Sequence, residues 1–109
     1  MLMAIRSLKV WHADANVDVQ VRLFMPEQDE QTWVCKYEIG WPTGAKRSLA
    51  RGVDAVQAIL LALYKIGIEI YTSDYHKAGK LIWLAPGRGY GFPVSKSVRD
   101  LLTGDDVGL

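Results

Sequence analysis

Val17, Val19, Val21 and Leu23 alternate strictly with Asp18, Gln20, Arg22 and Phe24. Successive side chains of a strand point to opposite faces, so this segment predicts a strand with one dry and one largely wet face. Two-faced strands belong to antiparallel sheets, because parallel sheets are covered on both faces. A fold for this chain must therefore lay something apolar against the dry face.

Shorter alternations flank that segment. Leu8 and Val10 alternate with Lys9 and Trp11, and Asp14-Ala15-Asn16 supplies turn chemistry between the two. Residues 26–31 read as a polar loop. Trp33, Cys35, Tyr37 and Ile39 then alternate with Val34, Lys36 and Glu38, a third strand. After a turn at Trp41-Pro42-Thr43-Gly44, residues 46–50 read as a short edge strand whose basic side chains discourage edge-to-edge aggregation.

The next segment changes period. Val56, Ile59, Leu60, Leu63, Ile66 and Ile70 recur at helical spacing and are predicted to form the core face, widened by Ala55, Ala58 and Ala62. Asp54 with Gln57 resembles a capping box. Leu61 and Ile68 carry apolar character around the back, leaving a narrow polar stripe of Gln57, Tyr64, Lys65 and Glu69. Such a helix is covered on more than one side: by the sheet, and by the C-terminal segment or a second copy. Ser73 caps one further turn ending at Gly79, residues 80–84 read as a strand, 86–91 as a glycine-rich turn, and 97–102 as a short helix. The expected architecture is α+β: a mainly antiparallel sheet of four to five strands with one long helix packed on one face. Residues 1–109 form a single domain, with 103–109 a frayed tail.

Composition limits the partners. Thirteen basic and 12 acidic residues give a net charge of +1. That balance creates no long-range field for phosphate backbones or anionic membrane, and weighs against nucleic acid binding through Lys46, Arg47 and Arg51. Cys35 is the single cysteine, so no internal disulfide forms, which fits a reducing compartment. The most apolar region, 53–70, is interrupted by Asp54, Gln57, Lys65 and Glu69, unlike a membrane span. The expected location is cytoplasmic.

No residue set announces chemistry. His12, His76 and Cys35 lack the close-spaced pair that zinc sites use, and Asp74 and His76 diverge on a helix, so no metal or cofactor is expected. The carboxylate pairs Asp14 with Asp18, Asp29 with Glu30, and Asp105 with Asp106 lie in turns, on a wet face or in the tail, where carboxylates keep ordinary acidity. No catalytic residue emerges. Pro86-Gly87-Arg88-Gly89-Tyr90-Gly91-Phe92-Pro93 carries glycines at alternate positions, which suit an anion, and Arg88 suits a phosphate. Phosphate loops lead into a helix, whereas Phe92-Pro93-Val94 is extended, so a tight turn packing Tyr90 and Phe92 on the sheet is the simpler reading.

One run of residues is familiar. Asp54-Ala55-Val56-Gln57-Ala58-Ile59-Leu60-Leu61, Gly79-Lys80-Leu81-Ile82-Trp83 and Gly87-Arg88-Gly89-Tyr90-Gly91-Phe92-Pro93-Val94 resemble a family of small uncharacterised bacterial proteins, of about 100 residues. The similarity covers residues 52–94, with a looser match over the N-terminal strands. The resemblance implies a free-standing domain and no activity, cofactor or partner.

Two functional expectations follow, the first resting on the four tryptophans, five tyrosines and two phenylalanines and on the apolar helix, the second on the glycine-rich segment. The first is a non-catalytic interaction module that self-associates or binds another protein, using Trp11, Trp41, Leu61 and Ile68. The second is a small-ligand binder or minor enzyme with a pocket beside residues 86–93, lined by Arg88, Tyr90, Tyr71 and His76.

Overall fold

The computed structural model describes residues 1–85 and 89–93; the expectations for Arg88, residues 97–102 and residues 103–109 lie outside them. The elements are β1 (Leu2–His12), β2 (Ala15–Phe24), β3 (Glu27–Asp29), β4 (Thr32–Trp41), β5 (Gly44–Gly52), α1 (Ala55–Tyr71), α2 (Asp74–Lys77) and β6 (Leu81–Ile82). They form an α+β fold with a six-stranded antiparallel sheet.

This sheet is larger than the four to five strands expected. The additional strand is β3, in the segment read as a loop. β2 and β3 pair with successive parts of β4, Leu23 opposite Tyr37 and Glu27 opposite Val34, while β5 pairs with β4 from Trp33 to Trp41. β4 has only two edges, so β2 and β3 share one, as a single line of pairing interrupted at Met25-Pro26. Proline has no N–H to donate, which explains the break better than polarity does.

The alternation of β2 is realised. Val19, Val21 and Leu23 are buried and face the core with Leu8 and Val10 of β1 and Cys35, Tyr37 and Ile39 of β4. The other face carries ion pairs across the strands: Lys9 with Asp18 at 3.4 Å, and Glu38 with both Arg22 at 3.0 Å and Arg47 at 2.6 Å. Hydrogen bonds from Arg47 and Arg22 hold the Glu38 carboxyl below its usual range.

α1 begins as its sequence indicates, with the Asp54 carboxylate accepting from Gln57 N at 2.8 Å and the Gln57 side chain accepting from Val53 N at 2.7 Å. Its buried side is the predicted one except at Val56 and Leu60. Ala58, Ala62, Ile66 and Ile70 are wholly buried in the core cluster, whereas Val56 is 74% exposed and Leu60 45%. α1 lies closest to β4 and β5. At its start the approach is so tight that a Cβ on Gly52 would stand 2.5 Å from Ala58 N. Only small residues fit there, so alanines face inward and larger aliphatics are turned out.

Ser73 caps α2, accepting from His76 N at 3.2 Å, and Gly79 follows with a left-handed φ of 69°. Among the described residues, no helix is long and apolar enough to cross a membrane.

Candidate functional site

Three of the four residues expected to line a ligand pocket do meet. Tyr71 ends α1, His76 lies on α2, and Tyr90 approaches both. Ring centroids are 4.8 Å apart for Tyr71 and His76, and 5.0 Å for Tyr71 and Tyr90. His76 Nδ1 is 2.5 Å from the Tyr90 hydroxyl. Tyr71 is wholly buried and Tyr90 is 5% exposed, so the two tyrosines offer a ligand almost no surface, while His76 is half-buried. Packing is what this arrangement does best.

Burial lowers the affinity of His76 for a proton below the ordinary value of 6.5. The unfolded chain therefore takes up that proton first as pH falls. The stability tied to neutral His76 is complete above pH 6.5 and declines below it. Denaturant midpoints are expected to drop more steeply between about pH 7.5 and 5.5 in the native protein than in His76→Gln. Equal slopes would show that His76 titrates as in the unfolded chain.

The four residues expected to form an interaction surface are dispersed. Trp11 is 46% exposed and alternates with Val10, which places it on the outer face of the sheet. Trp41 is half-buried and stacked on Tyr75 at 5.3 Å, with His12 against the edge of Tyr75. Leu61 is exposed on α1, and the half-buried Ile68 lines a cleft with Tyr37, Lys46, Ser48, Lys65 and Glu69.

That cleft, of about 300 Å³, holds a polar cluster the sequence did not suggest. The Tyr37 hydroxyl donates to Glu69 Oε2, and the Lys46 ammonium stands 2.5 Å from Oε1. Lys65 donates to Leu49 O at 2.6 Å and to Ser48 Oγ at 3.2 Å. Burial, then the bond to Glu69, pushes the pKa of Tyr37 far above its ordinary value. The phenol is thus a fixed donor and a poor base. Tyr37 sits at an apolar-face position and Glu69 on the polar stripe of the helix, so each looks ordinary until α1 crosses β4.

Arg6 explains the glycine-rich segment. Its Nη1 donates to Tyr90 O at 3.1 Å and to Gly91 O at 3.0 Å, with the guanidinium 4.2 Å from the Trp83 ring and 4.9 Å from Phe92. Gly91 has φ 77° and leaves no room for a Cβ beside Arg6 and Trp83. Here the backbone carbonyls bind a cation supplied by the chain itself. Cys35 is buried, its Sγ donating to Phe24 O at 3.4 Å, and burial raises its thiol away from reactivity.

The most accessible apolar surface lies elsewhere. Leu2 is 43% exposed, Met3 38% and Ile5 47% on β1; Val53, Val56 and Leu60 are exposed at the start of α1. A groove of about 200 Å³ is lined by Ala4, Ile5, Leu23, Leu63, Ile66 and Phe92 among others. Two sequence features anticipate these exposed side chains, the uncharged run Leu2–Ile5 and the all-round apolar helix.

Comparison with known proteins adds a family. A profile described as a domain of unknown function (DUF6968) matches residues 4–94, taking in the N-terminal strands as well as the helix and glycine-rich segment. No curated protein and no solved structure matches the chain.

Proposed function

The chain belongs to the DUF6968 family of unknown function, and from that premise we propose that it is a non-catalytic interaction module whose partner is a second copy of itself. The observation that supports this reading is the number of exposed apolar side chains, among them Leu2, Met3 and Ile5 of β1 and Val56 and Leu60 of α1. Exposed apolar surface of this kind marks a contact site. A symmetric contact sets the residues at its two-fold axis near their own copies, so charge at its centre would repel. The five side chains named carry none, and the protein's net charge of +1 opposes association little.

The test is sedimentation velocity over a concentration series, comparing the native protein with the Val56→Lys/Leu60→Lys double variant. Both positions are exposed, so the fold should survive. The native protein is expected to sediment as a dimer, and the variant to need at least about 100-fold higher concentration to do so. Identical behaviour of the two would remove α1 from the interface.

A further inference from the structure

We propose a small-molecule site on the sheet face that α1 does not cover, taking a carboxylate that carries an apolar chain or ring. The site shares no residue with the surface proposed for self-contact.

Strand alternation places it. Leu23 of β2 and Cys35 and Tyr37 of β4 are buried in the core cluster with α1. Their neighbours Phe24, Lys36 and Glu38 therefore stand on the opposite face. Leu49 of β5 pairs with Lys36 and Arg47 with Glu38, while Arg22 of β2 pairs with Glu38 from the other side. Residues directly opposite one another share a face. A cleft of about 390 Å³ is lined by Phe24, Lys36, Glu38, Arg47 and Leu49, together with Tyr37 and Ser48. Small-molecule sites occupy about 300–1,000 Å³.

The lining has an apolar part and a cationic part. Phe24 and Leu49, on the strands flanking β4, are half-buried and supply apolar wall. Glu38 is shared by two guanidinium groups, Arg22 at 3.0 Å and Arg47 at 2.6 Å. Arg47 reaches it through Nε, so its two terminal nitrogens remain as donors. Lys36 is exposed, and its ammonium has no ion pair or hydrogen bond among the described residues. Three cations thus meet one carboxylate, a surplus of two positive charges. Lys36 and Arg47 are diagonal neighbours across β4 and β5. Such neighbours stand about 7–8 Å apart, within reach of one anion held between two long side chains. A carboxylate between Lys36 and Arg47, with its apolar body over Phe24 and Leu49, matches both parts of the cleft. Glu38, which its hydrogen bonds from Arg47 and Arg22 keep ionised, repels a second negative charge and favours a carboxylate over a doubly charged phosphate.

Octanoate is the probe. An NMR titration resolving single amides is expected to show saturable shifts at Lys36, Arg47 and Leu49, half-complete at about 1 mM or below. Octylammonium keeps the chain and reverses the charge, and is expected to need at least about tenfold more; acetate keeps the charge without the chain, and is expected to give no saturable shift. Lys36→Glu alters an exposed side chain, so its amide spectrum should remain that of the folded protein, and octanoate should bind it at least about tenfold more weakly. Octanoate shifts confined to the groove at Ala4 and Leu63 would overturn the site, as would equal binding of octylammonium or no saturation at millimolar concentration.

Discussion

Gly52→Ala is expected to destabilise the protein by about 3 kcal/mol, enough to remove much of the stability of a small domain. The added Cβ would lie 2.5 Å from Ala58 N and 2.9 Å from the Gln57 carbonyl carbon. Both are backbone atoms of the first turn of α1, so no rotamer change relieves the clash, and the helix must move. Moving it opens the contact of Ala58 and Ala62 with the sheet, where both are wholly buried. Urea unfolding followed by circular dichroism measures the effect. A loss below about 1 kcal/mol would mean that α1 can slide without penalty, contrary to close packing.

Gly91→Ala is expected to cost about 2–3 kcal/mol, by a different route. The glycine has φ 77°, a region L-residues enter at a penalty, and its new Cβ would stand 2.6 Å from Arg6 Nη1 and 2.7 Å from the Trp83 ring. These are side-chain atoms and can retreat. Retreat pulls the guanidinium away from the Tyr90 and Gly91 carbonyls and from its place over Trp83, loosening segment 90–93 from β1. Trp83 emission should therefore change in the folded variant, whereas Gly52→Ala should leave it alone at low denaturant. An unchanged emission spectrum and unchanged stability would show that the clamp contributes nothing.

The two glycines show how much of the fold was legible. Strand alternation marked the faces of β2 and β4, and Asp54, Gln57 and Ser73 marked helix starts, because these are local patterns with local causes. Val56 and Leu60 were misassigned to the inward side of α1 because periodicity counts large apolar residues, while the space available was set by Gly52, distant in the pairing of β5 with β4. β3 was hidden by Pro26, which breaks one strand line without removing the next strand from it.

The site was less legible still. Tyr71, His76 and Tyr90 were expected to line a pocket beside the glycine-rich segment and do lie together, but the two tyrosine rings are buried and leave a ligand little to touch. Arg6 drew no attention as an isolated charge near the start of β1. Its meaning depends on two carbonyls 84 and 85 residues away. The groove likewise depends on Leu63 and Ile66 of α1 meeting Ala4 and Ile5 of β1, a proximity no window of sequence contains.

The most direct test of self-association is the molar mass of the native protein by light scattering, at micromolar to tens-of-micromolar concentration. The account predicts twice the mass of one chain, shifting to a single chain only on strong dilution. A mass of one chain at every concentration would contradict it, and the exposed apolar surface of β1 and α1 would then need another occupant.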